Sequence, residues 1–163
     1  MDEARVAALL ARGGGGTGED EPAGRPPKYN GLTDPAGVEE LGRLLVDRLR
    51  AVAPTTIVVW EDPEDVVLGH VVARELGLPV VRAWDADGLV GHSAGLPETP
   101  RVVLVADAIR DARVVRAARA VTDREGGSLV ATAVLVGTPE LHSVADEAGE
   151  CFALIEAPAV EAG

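Results

Sequence analysis

The sequence is poor in aromatic residues, and this shortage restricts how its core can be built. Aromatics make up only 2% of the 163 residues, whereas hydrophobic residues make up 47%. The core must therefore consist of Val, Leu and Ala, a composition typical of strands buried on both faces of a parallel sheet. The length suits one domain with a sizeable core.

Cysteine is equally scarce. The single cysteine, Cys151, excludes an internal disulfide and a multi-cysteine metal site. Because it precedes the apolar run 152–155, we expect a buried thiol. His70 lies among the apolar residues of a predicted helix, and we expect it to be partly buried as well.

Positive charge is in deficit, with a net charge of −12 at pH 7. This balance argues against nucleic acid as a partner, since non-specific binding to nucleic acid depends on cationic patches. The negative charge is compatible with a basic protein partner, and equally with a surface that only keeps the protein soluble. No apolar run approaches the length of a membrane span, and Met1-Asp2-Glu3 is a poor start for a signal peptide. We therefore expect a cytoplasmic protein with no membrane partner.

The first 27 residues differ from the rest of the chain. Residues 4–12 suit one short helix, and residues 13–27 are rich in Gly, Pro and acidic residues, which predicts a flexible tether. The helix is expected either to dock on the domain at 28–163 or to fray.

Residues 28–163 alternate helical and strand patterns. The predicted elements are a helix from Asp34-Pro35 to about 53, a strand at 55–60, a helix at 66–76 closed by Gly77, a strand at 80–84, a loop at 85–100, a strand at 101–105, a helix capped by Asp111, a strand at 128–136, a helix at 139–148 and a strand at 151–155. This order predicts an α/β fold with a doubly wound, mostly parallel sheet in a three-layer, Rossmann-like arrangement.

The turn after the strand at 101–105 is the most informative segment. A turn from strand to helix is where such proteins bind nucleotides and sugar phosphates, using glycine and small hydroxyl residues. This turn has neither, since it holds Ala106, Asp107, Ala108, Ile109, Arg110, Asp111 and Ala112.

Several segments resemble the type I phosphoribosyltransferases, most closely the orotate phosphoribosyltransferases. The resemblance covers roughly residues 28–157 and rests on Lys28-Tyr29 with Thr33-Asp34-Pro35, on the run 73–81, and on Val102 to Asp107. It implies a dimer that uses phosphoribosyl pyrophosphate (PRPP). In the orotate family, a mobile basic loop reaches across the dimer.

The departures from that family fall where substrate phosphates would bind. Of the two acidic residues in the PRPP signature, the first is Ala106 and only Asp107 remains, while Thr-Thr-Gly is replaced by Arg110-Asp111-Ala112. The basic loop reads Asp85 to Gly95 and contains no Lys or Arg. The pyrophosphate loop consists of Glu61, Asp62, Pro63, Glu64 and Asp65.

Electrostatics makes ordinary PRPP binding unexpected. Two like charges near 4 Å cost about 1 kcal/mol in water and about 4 kcal/mol at an effective dielectric constant of 20. Two such contacts with pyrophosphate would therefore remove several decades of affinity. We expect no cofactor, and Mg²⁺ only if a ligand-binding activity is retained.

Some side chains remain candidates for contacts with a ligand or partner. Asp107 could contact ribose hydroxyls, as the resemblance implies, or cap the following helix. Arg110 could meet an anion or pair with Asp111 or the 61–65 cluster. A divalent cation could be held by Glu61, Asp62 and Asp107. The candidate contacts are Trp60, Trp84, Asp85, Asp107 and Arg110.

Three functions follow from this pattern. The favoured one is a phosphoribosyltransferase-like protein without catalysis, acting as a binding, regulatory or assembly subunit in a homodimer or heteromer. One alternative is an active orotate-type phosphoribosyltransferase of nucleotide metabolism, in which a partner supplies the basic loop. The other is a metal-dependent hydrolase using the carboxylates.

Overall fold

The computed structural model describes residues 2–14, 26 and 28–157. Most of the predicted tether, at 15–25 and 27, lies outside the described residues, as does the end of the chain from 158. The N-terminal helix does lie within them.

Helices and strands alternate along the described chain. The helices are α1 (Glu3–Arg12), α2 (Pro35–Leu49), α3 (Pro63–Leu76), α4 (Ala112–Arg124) and α5 (Pro139–His142). The strands are β1 (Thr56–Trp60), β2 (Val80–Ala86), β3 (Leu89–His92), β4 (Arg101–Ala108), β5 (Ser128–Gly137) and β6 (Glu150–Glu156). Short 3₁₀ turns follow α2 at Arg50–Val52 and α5 at Ala145–Glu147.

The six strands form one sheet in the order β3-β2-β1-β4-β5-β6. All neighbouring pairs are parallel except β2 and β3, which are antiparallel. Strand order reverses between β1 and β4, and the chain covers both faces of the sheet with helices. The predicted doubly wound, mostly parallel α/β fold is confirmed.

Both faces of the sheet carry an apolar core made mainly of aliphatic residues. On one face, Leu41 and Leu45 of α2 and Val72 of α3 belong to the same buried cluster as β1 and β4 residues. On the other face, Val115 and Ala118 of α4 are buried with sheet residues. A sheet covered on both sides explains why its strands are apolar without alternation.

Carboxylates and prolines set the helix starts. The Asp34 side chain accepts from the Gly37 N–H at the start of α2, and the Asp111 side chain accepts from the Arg113 N–H at the start of α4. These caps satisfy backbone donors that have no partner inside the helix. Both predicted caps are confirmed.

The N-terminal helix docks on the domain. Val6 and Leu9 of α1 are buried in the same core cluster as α2. Beyond the helix, Gly14 forms a β-bridge with Tyr29, and the Asn30 N–H donates to the Gly13 carbonyl at 2.6 Å. Of the two expectations for this helix, docking is therefore the correct one.

A strand was missed in the predicted loop at 85–100. β2 continues to Ala86, Asp87 and Gly88 turn with φ of 54° and 83°, and β3 returns antiparallel to β2. Both turn residues have positive φ, as a two-residue type I′ hairpin requires. Asp-Gly is a strong sequence signal for that turn, so the hairpin was predictable.

Three predicted boundaries were also wrong. α3 begins at Pro63 rather than at 66, because Asp62 caps it and proline suits the first helical position. β4 runs to Ala108 rather than to 105. The helix expected at 139–148 divides, because Val144 takes a non-helical conformation and its side chain is buried in the core.

Two burial predictions were wrong. His70 is exposed, because it lies on the side of α3 opposite the buried Leu68, Val71 and Val72. Cys151 is exposed because β6 is the last strand of the sheet. Among the described residues, no helix is both long enough and apolar enough to cross a bilayer.

The contact between α3 and β1 leads to a stability prediction. A Cβ on Gly69 would lie 2.1 Å from Val59 Cγ1 in the core. Gly69→Ala is expected to lower the free energy of unfolding by about 1–3 kcal/mol, because overpacking outweighs the better helix propensity of alanine. Urea denaturation followed by circular dichroism measures this change. Gly95→Ala is the matched control, since a Cβ there meets nothing within 4 Å, and equal stability of the two variants would contradict the prediction.

Candidate functional site

The candidate site lies where β1 and β4 end. In a parallel sheet these carboxyl ends meet at one edge, and the loops that follow them form a crevice next to the point where strand order reverses. Here the loops are Glu61-Asp62, between β1 and α3, and Ile109 to Asp111, between β4 and α4. The predicted degenerate pyrophosphate loop is therefore shorter than expected, since Pro63, Glu64 and Asp65 form the first turn of α3. Likewise, Ala106, Asp107 and Ala108 end β4, and Ala112 begins α4.

Asp107 is the central acceptor of the site. Its side chain is 6% exposed, and the Arg110 guanidinium donates to both of its oxygens, from Nη1 to Oδ1 at 2.6 Å and from Nη2 to Oδ2 at 2.8 Å. The backbone N–H groups of Tyr29 and Ala108 donate to the same carboxylate at 3.0 and 2.6 Å. Four donors thus satisfy one buried charge, as a buried ion requires.

This arrangement bears on two expectations. Arg110 was expected to pair with Asp111 or with the 61–65 cluster, and the structure pairs it with Asp107. Asp107 was considered as a cap for the following helix, but Asp111 is the cap of α4. The reason is that Asp107 lies within β4, where its carboxylate is within hydrogen-bond distance of the Arg110 guanidinium.

The segment just before α2 also contacts the site. The Arg110 Nη2 donates to the Pro26 carbonyl at 3.3 Å, and the Lys28 Nζ donates to Asp62 Oδ2 at 2.5 Å. The Tyr29 N–H adds its bond to Asp107. These contacts were not predictable from the sequence because they join residues far apart in the chain.

Asp65 is a buried carboxyl beside this ion pair. It is 7% exposed, and its Oδ1 accepts the Asp107 N–H at 2.8 Å. Burial, together with the negative charge of Asp107, raises the pKa of Asp65 to about 8. Asp65 is therefore mostly protonated at neutral pH. This could not be predicted from the sequence, in which the residue is one member of an acidic run.

The three carboxylates of the predicted metal set have separate partners. Glu61 pairs with Arg82 at 3.2 Å, Asp62 with Lys28, and Asp107 with Arg110. Across residues 2–14, 26 and 28–157, no group of three or more His, Cys, Asp or Glu side chains is arranged to hold a metal ion.

The two tryptophans lie in different surroundings. Trp60 ends β1 and lines a cavity of about 210 Å³ with Asp65 and Arg110. Trp84 instead covers Gly91 in the β2–β3 hairpin, where a Cβ would lie 2.7 Å from its ring. Asp85 belongs to the same hairpin and accepts the Gly88 N–H at 2.7 Å. Of the candidate contacts, Trp60, Asp107 and Arg110 meet around the site, and Trp84 and Asp85 belong to the hairpin.

Solved structures with the same architecture are phosphoribosyltransferases and a related synthase. Adenine phosphoribosyltransferase from Rhodothermus marinus has a TM-score of 0.74 at 17% identity, over 94% of this chain and 99% of that one. The Leishmania tarentolae enzyme gives 0.73 at 15% identity, over 96% and 89%. UMP synthase from Leishmania donovani gives 0.72 at 15% identity, over 96% of this chain but 36% of the other. No family model and no curated protein sequence matches.

The chain has the type I phosphoribosyltransferase fold. The expected fold family is thereby confirmed, whereas the orotate type receives no specific support from these neighbours. At identities below 20%, the likeness establishes the fold and not the activity.

The ion pair at the centre of this phosphoribosyltransferase fold leads to a second stability prediction. Asp107→Ala is expected to lower the free energy of unfolding by about 3 kcal/mol, because it leaves the Arg110 guanidinium, which is only 15% exposed, without its carboxylate. Asp123→Ala is the control, since Asp123 forms an exposed pair with Arg119 at 3.7 Å and should cost at most about 1 kcal/mol. Urea unfolding compares the two, and a similar small loss in both would contradict a structural role for Asp107.

Asp65 leads to a prediction about pH. At pH values between the ordinary carboxyl pKa and the raised pKa of about 8, Asp65 keeps its proton in the folded state and has lost it in the unfolded state. Its contribution to stability is therefore complete at low pH and is lost as pH rises toward 8, by up to about 1.4 kcal/mol per pH unit. Asp65→Asn should remove this slope. Urea unfolding of both proteins from pH 5 to 8.5 tests the prediction, and curves that stay parallel would contradict it.

Proposed function

We propose that this chain is a phosphoribosyltransferase-like protein that has lost transferase catalysis and acts as a binding, regulatory or assembly subunit. Its partner in this role is a second copy of the chain or another protein. The observation that carries the proposal is the bidentate pair of Arg110 with Asp107, in the loop where a sugar phosphate would be expected.

The pair opposes phosphate binding in two ways. Its charges neutralise each other, so the loop offers little net attraction for an anion. A phosphate that took Arg110 would also leave Asp107 buried without its cation, and breaking such a pair costs about 3–5 kcal/mol.

The helix starts at the site support the same conclusion. A helix N-terminus binds phosphate through free backbone N–H groups. Here the Asp62 side chain accepts the Glu64 N–H at the start of α3, and the Asp111 side chain accepts the Arg113 N–H at the start of α4. Each carboxylate adds a negative charge at the position where phosphate would need a donor.

Titration with PRPP and Mg²⁺ tests the proposal. We expect no saturable heat by calorimetry with PRPP below the millimolar range, and no pyrophosphate release with adenine or orotate. An adenine phosphoribosyltransferase measured in parallel is the positive control.

Micromolar affinity for PRPP would overturn the proposal that this chain has lost the function of a phosphoribosyltransferase. Release of pyrophosphate only after mixing with a related chain would instead favour an enzyme completed by a partner subunit.

A further inference from the structure

β3 is an edge strand whose outer side has no partner strand. In the part of the chain that the structure describes, it pairs with β2 alone. Proteins often protect such an edge with lysine, proline or a β-bulge, because its free backbone groups can pair with a further strand. β3 consists of Leu89, Val90, Gly91 and His92 in unbroken register with β2. It has none of these protections, so the edge is open to pairing.

The hydrogen bonds of the β2–β3 hairpin identify the free backbone groups. The Ser93 N–H donates to the Arg82 carbonyl at 2.9 Å. In antiparallel strands, such bonded pairs alternate with pairs that are not bonded. The register of the hairpin therefore directs the backbone of Gly91 toward β2. Val90 and His92 face outward, and each presents one N–H and one carbonyl group to an added strand.

The hairpin and the loop that follows it carry negative charge. From residue 83 to residue 100 the chain has no Lys or Arg. The carboxylates of this segment, Asp85, Asp87 and Glu98, are all exposed. A surface of one sign attracts partners of the opposite sign and repels those of its own.

The arginines next to the hairpin do not neutralise this charge, because they have other acidic partners. Arg82 pairs with Glu61 at 3.2 Å. Arg113 is close enough to sense the charge of Asp85, but its ion pair is with Asp111 at 2.7 Å. The hairpin therefore keeps a negative charge that a partner can use.

Leu89 adds an apolar contact at the same edge. Its side chain is 76% exposed, although it belongs to a strand. Side chains that lie opposite each other on neighbouring strands interact. An added strand with aliphatic side chains would therefore cover Leu89 while its backbone pairs with β3.

The charge decides which occupant suits this edge. A second copy of the chain would bring an equally acidic hairpin and a net charge of −12, and like charges oppose that pairing. A segment rich in lysine or arginine has the opposite sign. Since β3 is four residues long, few backbone bonds are available, and attraction between opposite charges is needed to supplement them.

We propose that β3 is a docking edge for an extended, basic segment of another protein, which adds a strand to the sheet beside Val90 and His92. Main-chain hydrogen bonds hold the segment to the edge, as in other cases of strand addition. Leu89 contacts its aliphatic side chains, and Asp85 and Asp87 attract its cations. The inference rests on the proposed function, because it names a surface and a partner class for a binding subunit.

Three peptides of equal length test the charge and the strand geometry. Acetyl-KVKVKVK-amide is basic and alternating, and acetyl-EVEVEVE-amide reverses its charge. Acetyl-KPKPKPK-amide keeps the charge, but proline fixes φ at about −65° and removes the N–H of every second residue. At low salt we expect the first peptide to bind at least about tenfold more tightly than either of the others, and added salt should weaken it.

Amide hydrogen exchange locates the bound peptide. The N–H groups of Val90 and His92 should gain protection when acetyl-KVKVKVK-amide binds, because the added strand accepts from them. The Gly91 N–H is the internal control. It already faces β2, so its protection should rise much less.

Variants of the full chain separate backbone pairing from charge. Val90→Pro removes an outward N–H and no bond to β2, and proline is tolerated at a sheet edge. It should bind the basic peptide at least about fivefold more weakly. Asp85→Asn/Asp87→Asn keeps the turn, because Asn-Gly also forms it, and should weaken binding about fivefold at low salt. The control Glu3→Gln/Glu125→Gln removes two exposed carboxylates on α1 and after α4 and should bind as the parent does.

The inference is overturned if the glutamate or proline peptide binds as tightly as acetyl-KVKVKVK-amide, or if the latter does not bind at millimolar concentration. An equal gain of protection at Val90, Gly91 and His92 also overturns it. Protection of the Val90 amide that rises with protein concentration, without peptide, would assign the edge to a second copy instead. None of these outcomes bears on PRPP, whereas micromolar PRPP binding overturns the proposed function, so the two failures are distinguishable.

Discussion

The bond between Arg110 and Asp107 is the interaction on which the site depends. Asp107 is buried at the end of β4, and a buried carboxylate is tolerable only with a cation and hydrogen-bond donors around it. Arg110 supplies the cation from three residues further along the chain. The loop between β4 and α4 is therefore held by a charge pair between two residues of the protein. In a phosphate-binding loop, the corresponding charged partner would be the phosphate of a ligand.

Much of the fold could be predicted from the sequence because its signals are local. Asp34 and Asp111 stand directly before helical patterns, and their side chains cap α2 and α4. The apolar strands without alternation predicted a sheet covered on both faces. Asp87-Gly88 was also a local signal. It predicts a two-residue hairpin turn even inside a glycine-rich loop, and β3 follows it.

The site was harder to predict because its contacts depend on the tertiary structure. Arg110 has acidic neighbours on both sides in the sequence, and sequence alone does not show that β4 continues far enough to bring Asp107 within hydrogen-bond distance of its guanidinium. The neutral Asp65 follows from burial next to a second carboxylate, which no local pattern reveals. The exposure of Cys151 follows from strand order, since β6 is an edge strand.

The Tyr29 N–H bond to Asp107 connects the beginning of the chain to the middle of the sheet. Gly14 and Gly13 hold Tyr29 and Asn30 in turn, so α1 is joined through a few residues to the same carboxylate that holds Arg110. We therefore expect local fluctuations at these points to be coupled, so that detachment of the N-terminal helix would weaken the loop that precedes α4. Protection of the Tyr29 amide from hydrogen exchange would report on both at once.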